Sequence, residues 1–139
     1  MSDRAQLGHL IAGAVMHHSE IWQDINAAVH QAVRDRLIQL NEHDLIERND
    51  DLLANVPVVG GQQPSTALLL RRYHTQLHQE LCAGNQPRVT FGSIEDELRE
   101  LTRAVMVTID ADEGISVESA VLLALVLHKQ GIAAFCARP

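Results

Sequence analysis

The stretch from Ala5 to Leu40 constrains the fold most. Projected at 100° per residue from Leu7, the apolar residues Leu10, Ile11, Ala14, Val15, Ile21, Trp22, Ile25, Ala28, Val29, Ala32 and Val33 fall within about 80° of one line. This periodicity holds for about seven turns, and no proline interrupts it. It predicts one long amphipathic helix, capped near Ser2 or Asp3 and weakened by Gly8 and Gly13. Asn41 is the expected stop.

Ala5–Leu40 as a single helix spans about 54 Å at roughly 1.5 Å per residue. A compact domain of this size measures roughly 37 Å across. The helix therefore kinks, at Gly13 or His17-His18-Ser19, or a second copy covers its projecting face about a two-fold axis. The second arrangement is preferred, which makes a homodimer through this helix the expected state. His18 lies near the middle of the stripe. It is a core histidine, a metal ligand, or a polar group at the dimer seam whose protonation loosens the dimer below about pH 6. Arg36 marks the point where the stripe leaves the core.

Four further helical segments follow. Asn41–Asn55 is short, with Leu45, Ile46, Leu52 and Leu53 as its apolar edge. Val56 to Pro64 breaks the chain with two prolines and Gly60-Gly61. Ser65 or Thr66 caps a third helix with the stripe Leu69, Leu70, Tyr73, Leu77 and Leu81, and Gly84-Asn85 ends it. Arg88–Phe91 can pair as a strand with Val56–Val59. Ser93 caps a fourth helix with Ile94, Leu98, Leu101, Val105 and Ile109 inward, and Asp110–Gly114 turns the chain. Ser116 caps a fifth, apolar all round from Ala120 to Leu127 and so the most buried element. The apolar tail Ile132–Cys136 packs back. The expected fold is an all-α bundle of about five helices in one domain covering residues 1–139.

The chain carries a net charge of −7 and only one adjacent basic pair, Arg71-Arg72, so it lacks the clustered positive face that nucleic-acid binding needs. Its longest wholly apolar run, Ala120–Leu127, is far too short to span a membrane. Cys82 and Cys136 form neither a CxxC pair nor a disulfide framework, so a reduced cytoplasmic protein is the expectation.

Eight histidines are the anomaly of the composition. His74 and His78 stand four apart on one helix, a spacing that brings two imidazoles to one metal ion, and Cys82 continues the row. Each step of four drifts by about 40°, so one ion reaches two of the three more easily than all. No Glu follows the first histidine, which excludes the zincin pattern. His43 and Glu47, also four apart, resemble part of the hemerythrin iron site, but that site's last element, a His with an Asp five residues on, is absent. Asp110–Glu118 has its glycine fifth and Val121 at the twelfth position, so it is not a calcium loop. Glu95, Asp96, Glu97 and Glu100 face no second acidic pair, since the next helix offers only Glu118. No phosphate loop, dinucleotide fingerprint or GxSxG is present.

Two functions fit these residues. One is a small non-catalytic helical protein acting through protein–protein contact, as an adaptor, regulator, immunity-type or chaperone-type partner, with no cofactor. The other is a bundle that holds a metal through His18, His74 and His78.

Overall fold

The computed structural model describes residues 21–55 and 63–138. Helix α1 occupies 21–34, and its stripe buries Ile25, Val29 and Ala32 at the expected spacing. It stops well short of Leu40. Arg36 takes a left-handed backbone, φ 58°, and a 3-10 turn Leu37–Gln39 follows. A non-glycine residue at positive φ cannot continue a right-handed helix, so the position expected to mark the exit from the core is the break itself. The rest of the expected helix, with Gly13, His17, His18 and the proposed kink, lies outside the described residues.

Four helices begin as the caps dictate. The side chains of Asn41, Ser65, Ser93 and Ser116 accept from the amides of Asp44, Leu68, Asp96 and Ser119, at 2.8, 3.2, 3.1 and 3.1 Å. They start α2 (Glu42–Leu53), α3 (Thr66–Arg72), α5 (Ile94–Val105) and α7 (Val117–Gln130). The expected third helix bends at Tyr73 (φ −103°, ψ 15°) and resumes as α4 (His74–Leu81). The fourth runs longer than expected. A π-helical turn, Met106–Asp110, carries α5 into the short α6 (Ala111–Glu113), which ends at Gly114 with φ +67°. The cause is local. Thr108 Oγ1 donates to the Ala104 carbonyl at 2.7 Å, amid a run of β-branched residues that strains a tight helix.

α7 is the hub. It packs between α2 and α5, and every residue from Ser119 to Leu127 is buried. Gly131, φ +91°, separates it from α8 (Ile132–Ala137), which buries Phe135 and Cys136. The described residues are therefore mostly helical, and none of their helices is long and apolar enough to cross a membrane.

Two expectations are corrected. The strand pairing is not at Arg88–Phe91, which is irregular; the matching Val56–Val59 lies outside the described residues. Instead β1 (Cys82–Ala83) pairs antiparallel with β2 (Gln86–Pro87) around Gly84, whose φ of +62° suits a two-residue hairpin turn. The cysteines are not reduced either. Cys82 and Cys136 form a disulfide with Cα atoms 5.5 Å apart, tying the hairpin to α8. A separation of 54 residues hid it, because only the return of the C-terminal segment brings the two together. The cytoplasmic location drew on reduced cysteines, and the bond removes that support.

Candidate functional site

The two histidines of the proposed metal site lie side by side on α4, ring centroids 6.0 Å apart, over the ring of Phe135. Both face α8. His78 Nε2 sits 2.9 Å from the Cys136 carbonyl oxygen and His74 Nε2 3.2 Å from that of Arg138. A carbonyl accepts, so each Nε2 donates a proton, leaving Nδ1 as the nitrogen able to ligate. The sulfur of Cys82 is bonded to Cys136, and His18 lies outside the described residues. Among the described residues no group of three His, Cys, Asp or Glu side chains is placed to hold one ion. His43 and Glu47 meet at 3.8 Å in full solvent, and His128 pairs with Glu97 between α7 and α5.

Two adjoining clefts open on the opposite side of α4 and the hairpin. One, about 770 Å³, lies between α4, the 88–91 segment and the π turn. The other, about 510 Å³, lies between that segment and the start of α5. Val89, Phe91 and Ile132 line both. The charged groups there are largely spent on one another. Arg103 binds Glu100 at 2.7 Å and Glu80 at 3.4 Å, and Arg88 donates to the Gln79 carbonyl at 3.0 Å. Burial lowers the affinity of Arg103 for its proton, but the hydrogen bonds and charges of Glu100 and Glu80 outweigh it and leave the pKa above its ordinary value. Aliphatic side chains are left facing water: Val89, Ile94 and Val107 are 53%, 50% and 44% exposed, and all three line these two clefts. Burial alone raises the Asp110 carboxyl pKa at the end of the π turn.

Tyr73 lies beyond the inner end of the larger cleft. Its hydroxyl donates to Glu113 Oε1 at 2.9 Å, and Arg72 grips the same oxygen at 2.6 Å. Burial, then Glu113 and Asp112, push its pKa up to about 12. On the far side α1, α2 and α7 enclose a third concavity of about 590 Å³ with a more apolar floor.

The sequence reading missed the aliphatic clefts because their residues come from a loop, a helix start and a π turn, which no periodicity links. It also missed the buried polar set Asn49, Thr66 and Ser119. The available signal was Asn49 itself, four residues from both Leu45 and Leu53 on the apolar edge of α2. Comparison with family models, curated proteins and solved structures finds no match, so function rests on the chain's own residues.

Proposed function

We propose that the protein is a small helical interaction module that works by binding another polypeptide rather than by catalysis. The observation that carries this reading is the gathering of Val89, Ile94 and Val107 around Phe91 and Ile132 on one face. Exposed aliphatic residues scattered singly mean little, but several over adjoining clefts form the apolar centre that protein interfaces use. The neighbouring ion pairs supply a polar rim. A homodimer through the N-terminal helix belongs to this proposal only for its part before residue 21, since Ile25, Val29 and Ala32 are already buried within the chain.

The test is a photo-crosslinking amino acid placed at Val89 or Ile94, with exposed Ala54 on α2 as control, in the cells that make the protein. Discrete adducts from both face positions that disappear with Val107→Asp are expected. An adduct of twice the chain mass identifies a second copy as the partner. Face positions that crosslink no better than Ala54 exclude the reading.

A further inference from the structure

The groove on the other side of the molecule, between α1, α2 and the start of α7, differs in its charge. Ala28, Ala32, Leu52 and Val121 form its floor. Its rim carries Asp24, Asp35, Asp51 and Glu118 against Arg48 alone, and all five are exposed. Around the Val89 face carboxylates are paired: Glu80 and Glu100 with Arg103, Glu97 with His128. Here none of the four carboxylates has a cationic partner among the described residues; Asp35 accepts only from the Gln31 amide, at 3.0 Å. Four like charges flanking an apolar trough are mutually repulsive, and an opposite charge of the same geometry relieves them.

Length gives the shape of that occupant. Along α1 the groove runs from Asp24 to Asp35, roughly 17 Å at about 1.5 Å per residue, or three helical turns. Three turns present apolar residues at i, i+3 or i+4, and i+7, the anchors of a helix lying in a groove. The small side chains of Ala28 and Ala32 keep the α1 wall low enough for a close approach. We infer that this groove binds a basic amphipathic helix of a partner protein, with its apolar face on the α1–α2–α7 floor and its Lys or Arg flanks on Asp24, Asp35, Asp51 and Glu118. The chain itself does not supply such a segment. Residues 1–20 carry Arg4 against Asp3 and Glu20, and a second copy brings a net charge of −7. This site is separate from the Val89 face and does not depend on it.

The probe is a fluorescein-labelled 18-residue Leu/Lys peptide with leucines at i, i+3, i+4 and i+7 spacing, titrated by anisotropy against the full chain. A scrambled peptide of the same composition and a Leu/Glu counterpart are the controls. Three exposed reversals in the groove, D24K, D35K and D51K together, are compared with three outside it, D44K, E47K and D112K together, which change net charge equally. Circular dichroism establishes that both variants are folded. The amphipathic basic peptide is expected to bind on the order of tenfold more tightly than the scrambled one. The groove reversals should weaken it by at least about tenfold, and the outside reversals by less than about threefold. Equal loss in both variants, equal binding of the scrambled or Leu/Glu peptide, or no binding up to about 100 µM overturns the assignment. So does a parent dimer, by sedimentation, that the groove reversals dissociate, because a second copy is then the occupant.

Discussion

The hydroxyl of Ser119 donates to Asn49 Oδ1 at 2.6 Å, joining α7 to α2 across 70 positions of chain inside the core. Asn49 Nδ2 in turn donates to Thr66 Oγ1 at 2.9 Å, and Thr66 gives both its amide and its hydroxyl to Asp50 Oδ1, each at 2.7 Å. One buried set thus fixes three helices in register. Removing the central member strands the other two in a dry core. Asn49→Ala is expected to cost about 2–3 kcal/mol and Ser119→Ala about 1–2 kcal/mol. The double variant should show a coupling of about 1 kcal/mol in urea unfolding. Strict additivity would dissolve the network into independent contacts.

Closing a 54-residue loop between β1 and α8 removes much of the unfolded chain's freedom. The loop-entropy relation gives about 4 kcal/mol for a loop of that length, within the usual 2–5 kcal/mol for native bridges. Unreduced protein should therefore show no reactive thiol in guanidinium. Cys82→Ser with Cys136→Ser should lower the melting temperature by roughly 10 °C or more. Two titrating thiols in unreduced protein would sink this prediction.

His74 and His78 act on the same segment. Their donation to the carbonyls of Arg138 and Cys136 holds α8 against α4, beside the disulfide. Replacing both with alanine should speed reduction of Cys82–Cys136 by dithiothreitol on the order of tenfold, since two bonds of about 1 kcal/mol each restrain the opening. The same pair tests the metal reading. An ion held by both rings through Nε2 must displace both carbonyls, so zinc binding there predicts faster reduction of the parent. Elemental analysis of untagged protein gives the stoichiometry directly.

What the sequence disclosed follows the range of each interaction. Caps act within three residues, and Ser65, Ser93 and Ser116 were legible at once. The apolar run Ala120–Leu127 located the hub because burial on every side leaves no polar face to hide it. The break at Arg36 was not legible, since arginine carries no preference for positive φ. The disulfide and the concave faces depend on segments far apart in the chain. His74 and His78 were found by spacing, but spacing does not reveal that carbonyls of α8 face the rings.

Thr102 is buried in α5, and its Oγ1 has no hydrogen-bond partner among the described residues. A desolvated hydroxyl without a partner costs more than the methyl that would replace it. Thr102→Val keeps the shape and removes the cost. It should stabilise the protein by about 1 kcal/mol, raising the melting temperature by a few degrees in calorimetry. A loss of stability would mean that the hydroxyl is satisfied in solution.

Tyr73 is the chain's one tyrosine, so its ionisation can be followed alone by absorbance near 295 nm. Burial, together with Glu113 and Asp112, raises its pKa from the ordinary 10.0 to about 12. The folded value lies above the unfolded one, so the folded state holds the phenolic proton more tightly. By linkage, the contribution of this group to stability is fully present below pH 10 and is lost as pH rises through about 12. The absorbance midpoint of folded protein should lie near 12, and that of guanidinium-unfolded protein near 10. Glu113→Gln removes a charge and an acceptor while leaving the ring buried. Its midpoint should fall part of the way toward 10, and Arg72 loses its carboxylate partner at the same time. A folded midpoint at 10 in the parent protein would show that the phenol is hydrated and that the Tyr73–Glu113 bond does not hold in solution.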